Sequence, residues 1–163
     1  MELKKMIEEI TVQTGLLNEL LQVLERETAE MGDVNINAMN LSNQAKEELT
    51  ARIAKQTPHL QQAISAQAVR EGLPGSASLG TVAAHIAKRG NRDPLARQQQ
   101  IQRTAERVQQ VAALNREIAE RFSSAVTTSL NMITRLVNQS NVYGQSGGYL
   151  QRPSGAVMIN REA

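Results

Sequence analysis

Apolar residues recur at steps of four and three along two long stretches of this chain. This spacing puts one stripe of side chains on a helix that packs lengthwise against another helix. The first stripe consists of Leu3, Ile7, Ile10, Thr14, Leu17, Leu21, Leu24, Thr28 and Met31. The second consists of Ile101, Thr104, Val108, Val111, Asn115, Ile118, Phe122, Ala125, Ser129, Ile133 and Leu136. The chain is therefore predicted to be all-α, with long coiled-coil-like helices.

The first break in the helical pattern is the sequence "MGDVN" at residues 31–35. Gly32 is predicted to end the first helix at its C′ position, and Asp33 is predicted to cap the second. So short a connection implies an antiparallel helical hairpin, which we expect over residues 1–69. Pro58 either kinks the second helix or is the first residue of its continuation, with Thr57 as the cap.

Residues 71–93 are predicted to form a connection that contains one short helix, 79–88, with Ser78 at its start and Gly90 after its end. Asp93 is predicted to cap the next helix, with Pro94 at its first position, and one long helix is expected over residues 94–141. Residues 142–163, which contain four glycines, are predicted to be a flexible tail. The helical domain is accordingly expected to span residues 1–141.

The composition limits what the chain can be. Only 2% of the 163 residues are aromatic, so a thick globular core is not expected. Cysteine is absent, which excludes disulfides, thiol nucleophiles and zinc–cysteine sites. No stretch approaches the roughly 20 apolar residues of a membrane span. The chain is expected to be cytoplasmic and not inserted in a membrane.

Charge is unevenly distributed along the chain. Residues 1–56 contain six basic and ten acidic residues, whereas residues 57–163 contain twelve and six. A basic half is compatible with a helical nucleic-acid-binding module, although aromatic stacking platforms are missing. The alternative is that an acidic hairpin lies against a basic helix within one molecule, and no nucleic-acid partner is then expected.

Residues suited to catalysis are not grouped in the sequence. His59 and His85 are the only histidines, and neither has nearby residues at the spacing of a metal site. The serines lack a positioned base. We therefore expect no catalytic residues, no metal and no cofactor.

Several segments together resemble a known family. In order they are "LLNELLQVLERETAEM", "GD", "KEEL", "LPGSASLGTVAAHIA", "LNREIAERFSSAVTTSLNMITRLV", "VYGQSGG" and "INREA". This order resembles the flagellar export chaperones of the FlgN type, over essentially the whole chain. The resemblance implies a non-enzymatic cytoplasmic chaperone that binds the C-terminal helical segments of hook-associated proteins of the FlgK and FlgL type. It also implies that the chaperone prevents their premature assembly and delivers them to the flagellar export gate or ATPase complex.

The spacing and the resemblance together give candidate partner-binding residues. On the long helix they are Ile118, Phe122, Val126, Met132, Ile133 and Val137. The alternative is that these residues pack against residues 3–31, or against a second copy in a homodimeric structural coiled coil. In the tail, the resemblance indicates Tyr143 and Tyr149 as contacts for a partner or the export gate. Asn115 is predicted to be a buried amide that fixes the helix register.

Overall fold

The computed structural model describes the backbone of residues 1–140 and the side-chain surroundings of residues 1–137. Residues 1–140 contain four helices, which are α1 (Glu2–Gly32), α2 (Ile36–Arg70), α3 (Leu79–Lys88) and α4 (Asp93–Ser140). No strand occurs within residues 1–140. The all-α prediction is confirmed, whereas the predicted tail, with Tyr143 and Tyr149, lies outside the described residues. The chain divides into two compact units, Met1–Ala119 and a second unit that begins at Glu120.

In the first unit, α1 and α2 form the predicted antiparallel hairpin. Lys46 pairs with Glu27, and further along α2 the Nη1 of Arg52 lies 3.1 Å from the Oε2 of Glu19. Residues further along α2 thus pair with residues earlier in α1, as in an antiparallel pair of helices. Leu16, Val23 and Leu49 form a buried cluster between the two helices.

The first part of α4 runs parallel to α1. Arg97 Nη1 donates to Thr11 Oγ1 at 3.0 Å, and Arg107 Nη2 lies 3.5 Å from Glu25 Oε1. Residues further along α4 therefore contact residues further along α1, as in a parallel pair of helices. The Arg107–Glu25 ion pair joins the acidic hairpin to the basic helix, as one of the two interpretations of the charge distribution predicts.

The main core joins α1, α2 and α3, and part of α4 packs against it. Met6, Ile10, Ala63, Ala68, Val82 and Ile86 are its buried members, and Ile101 of α4 packs against them. Each fully buried large aliphatic side chain contributes about 1.5–3 kcal/mol. The small helix α3 has the predicted bounds, and Ser78 Oγ accepts the N–H of Thr81 at 3.2 Å as its cap.

The turn between α1 and α2 differs from the prediction. Gly32 is the last residue of α1, and the left-handed position belongs to Val34, with φ 52°. The N–H of Asn35 donates to Glu30 O at 3.0 Å and that of Val34 to Met31 O at 3.3 Å. These are the two hydrogen bonds of a Schellman motif, which places Val34 at C′.

Two predicted helix caps are also wrong. Asn35, not Asp33, caps α2, because its Oδ1 accepts the N–H of Ala38 at 3.1 Å. Asp93 is already the first residue of α4, and its carboxylate accepts Arg97 Nε at 3.0 and 3.1 Å. Pro58 lies inside the single helix α2, so it does not begin a separate helix.

Candidate functional site

The part of α4 in the second unit carries a series of exposed large apolar side chains. Phe122 is 54% exposed and Ile133 is 55% exposed. We call the full set the exposed stripe; its members are Phe122, Val126, Leu130, Met132, Ile133, Leu136 and Val137. Scattered exposed apolar residues are ordinary on a soluble protein, but a contiguous apolar patch indicates an interaction site.

The spacing along the helix explains why these side chains share a face. Phe122, Val126 and Leu130 follow one another at steps of four, and Ile133 and Val137 continue at three and four. Residues three and four apart lie on the same side of an α-helix. Leu130 was missed from the sequence because it is one residue away from the four-three seam position Ser129, although the step of four from Val126 would have found it.

Ile118 differs from the other five helical candidates. It belongs to the first unit and is half-buried, whereas the other five are exposed. The six residues that the spacing grouped together therefore do not share one environment, and Ile118 is not a member of the exposed stripe.

Asn115 is the last buried residue of α4 within the part whose side chains are described, at 5% exposure. Its Nδ2 donates to Leu24 O and to Glu27 Oε2, both at 2.9 Å. Its Oδ1 accepts the hydroxyl of Thr28 at 2.6 Å. Since a buried amide in an apolar seam is stable only when its groups are paired, these bonds favour one register of α4 on α1. The predicted burial is confirmed.

Glu27 extends this polar cluster to α2. Its side chain is 8% exposed and pairs with Lys46, so one carboxylate contacts both α2 and α4. Nearby, Ser42 Oγ donates to Glu30 Oε2 at 2.7 Å. Buried charges are destabilising unless they are paired, and here the pairing links three helices of the first unit at one level.

The histidines do not form a metal site. His85 Nε2 lies 4.0 Å from Glu71 Oε2, and Glu71 also accepts Arg89 Nη1 at 2.7 Å. Among the described residues, no three His, Asp or Glu side chains are grouped closely enough to hold a metal ion. The described helices include none that is both long and apolar enough to cross a membrane.

The family model described as FlgN protein matches residues 1–151, which include all four helices and both Tyr143 and Tyr149. No curated protein and no solved structure matches the chain.

Proposed function

This chain belongs to the FlgN family of flagellar export chaperones, and on that basis we propose that it acts in the cytoplasm on hook-associated proteins. It binds their C-terminal helical segments, prevents premature assembly at the hook–filament junction and delivers them to the export gate. Its family is one of chaperones rather than enzymes. The proposal therefore requires a surface for protein binding and no reaction centre.

The observation that supports this proposal is the exposed stripe of α4. An amphipathic partner helix binds such a surface through residues at i, i+3, i+4 and i+7, and each helix covers the apolar face of the other. Phe122 is the only phenylalanine of the chain and is more than half exposed. Aromatic side chains that become fully buried in an interface commonly contribute most to binding, so we assign Phe122 the central contact.

The tail has a separate role in the proposal. Tyr143 and Tyr149 contact the partner or the export gate, because tyrosine side chains offer a large contact area for a small loss of side-chain entropy. Both lie in the segment that the FlgN family model matches. This part of the proposal rests on the sequence and the family, since the two residues lie outside the described part of the chain.

The test is a calorimetric titration with a peptide from the C-terminus of a hook-associated protein. We expect saturable binding at one peptide per chain, with a negative heat-capacity change from burial of apolar surface. Absence of binding to the peptide and to the full-length hook-associated protein would refute the proposal.

The exposed stripe also fits a second copy of this chain, which is the basis for the homodimeric coiled-coil alternative. Sedimentation at several protein concentrations distinguishes the two. A chain that stays monomeric alone and forms a complex with the hook-associated protein supports the chaperone role. A stable dimer that excludes the peptide supports the structural role.

A further inference from the structure

A stretch of α4 is exposed on every side and yet carries no charge. The thirteen residues from Phe122 to Thr134 include no Lys, Arg, Asp or Glu, and all of them are exposed. Of the three other charge-free runs at least as long, 136–151 extends beyond the described residues, whereas 56–69 and 72–87 contain core residues such as Ala63 and Val82. In this chain those two runs are partly buried by folding, whereas residues 122–134 are not.

The side of α4 opposite the exposed stripe changes composition at this point. Three positions of each heptad fall on that side. Between residues 103 and 121 these positions hold nine residues, of which six are charged. The nine are Arg103, Glu106, Arg107, Gln110, Ala113, Leu114, Glu117, Glu120 and Arg121. From 124 to 131 the same positions hold only uncharged residues, which we call the back face: Ser124, Thr127, Thr128 and Asn131. The next charged residue at these positions is Arg135.

Two hydroxyl groups in this stretch, those of Thr128 and Ser129, are bonded within the helix. Thr128 Oγ1 donates to Ser124 O, and Ser129 Oγ donates to Ala125 O, both at 3.0 Å. If a partner covered these side chains, both hydroxyl donors would keep their hydrogen bonds. The usual cost of burying an unpaired polar group therefore does not apply to these two hydroxyls. The short side chains of the back face also allow close approach of another segment.

We propose that a partner protein covers residues 122–134 of α4 from both sides at once. One partner helix packs on the exposed stripe, and a second, uncharged segment of the same partner packs on the back face. This inference rests on the proposed function but goes beyond it, since a one-sided groove requires only the exposed stripe to be free of charge.

Charge and entropy define the second partner segment. It lacks charged side chains opposite Ser124 and Asn131, because an unpaired charge buried against hydroxyl and amide groups is strongly unfavourable. It belongs to the same polypeptide as the first, since two linked segments lose less entropy on binding than two separate molecules. The two faces occupy the same length of α4, about 20 Å for thirteen residues.

The test measures the affinity of full-length hook-associated protein for variants with lysine on the back face. We expect Ser124→Lys and Asn131→Lys each to weaken binding at least tenfold. Lysine favours helix more than serine or asparagine does, so weaker binding does not reflect unfolding of α4. Gln110→Lys is the matched control, because Gln110 is exposed and occupies the same heptad position in the charged part of the helix. We expect it to change affinity less than twofold.

The results separate this inference from the proposed function. If Phe122→Ala weakens binding while both lysine variants of the back face bind like the wild type, only the exposed stripe is used and the inference is wrong. If Phe122→Ala also binds like the wild type, stripe binding itself is refuted. The mass of the complex gives a further check: two copies of this chain per complex would mean that a second copy covers the back face, which would also overturn the inference.

Discussion

Asn115 Nδ2 lies 2.9 Å from Glu27 Oε2 and joins α4 to α1 through a buried hydrogen bond. Glu27 also pairs with Lys46 of α2, so this carboxylate holds three helices of the first unit together. Buried polar groups of this kind stabilise one arrangement only while every partner is present. Loss of this hydrogen bond is therefore expected to destabilise the packing of these helices.

We expect Asn115→Ala to lower the free energy of unfolding by about 1–3 kcal/mol, because it removes a buried donor from the charged Glu27. Urea denaturation measures the change. Asn131→Ala is the control, since Asn131 is an exposed asparagine of the same helix, and such surface changes usually stay within about 0.5 kcal/mol. Equal effects of the two substitutions would contradict the role assigned to Asn115.

Val34→Gly is expected to stabilise the protein by about 1 kcal/mol, since a β-branched residue in the left-handed region is strained. Val34 is 53% exposed, so little buried apolar area is lost. Gly72 holds the equivalent left-handed position after α2, with φ 75°, and a Cβ there would meet nothing within 4 Å. Gly72→Val should therefore destabilise by about 1–2 kcal/mol through the backbone alone. Thermal melting of both variants tests the pair, and shifts of the same sign would count against it.

Ile10 and Ile133 provide a matched pair for separating stability from binding. Ile10 is 1% exposed and Ile133 is 55% exposed. We expect Ile10→Ala to cost about 2–5 kcal/mol of stability, whereas Ile133→Ala costs less than about 0.5 kcal/mol. In the calorimetric titration only Ile133→Ala, which remains fully folded, should weaken binding at the exposed stripe. A large loss of stability in Ile133→Ala would show that this residue is part of a core.

Hydrogen exchange should distinguish the two parts of α4. Residues 122–134 include three Ser and three Thr, which are weak helix formers, and all thirteen residues are exposed. Their amides are expected to exchange faster than those around the buried Val111 and Asn115. Adding hook-associated protein should slow exchange at residues 122–134. Unchanged exchange in a saturated complex would argue against binding at this segment.

The proposed role of the tail is tested by a chain that ends at Asn141. We expect it to retain binding through the exposed stripe but to support secretion less well, because Tyr143 and Tyr149 are missing. Peptide titration and a secretion assay measure the two properties separately. A full-length chain with both tyrosines changed to serine provides the control for shortening, and full secretion by both variants would refute the role of the tyrosines.

The helices themselves were largely predictable from the sequence, because their signals are local. The four-three spacing, the break at residues 31–35 and the cap at Ser78 each involve side chains within one or two turns of the backbone they affect. The bounds of α3 and the antiparallel order of α1 and α2 follow from such signals. The predicted cap at Asp33 was wrong because the left-handed residue of the turn is Val34, so that Asn35 caps α2 instead.

The seam that passes through Val111 and Asn115 continues through Phe122 at the same four-three spacing and reaches Ile133 after one additional step of four. The first two are buried and the last two are exposed. The sequence alone determined that all four lie in one repeating seam, because the helical period is a property of the backbone. Only the tertiary structure decided which of them is covered, since burial depends on contacts with residues distant in sequence, such as Leu24 and Glu27.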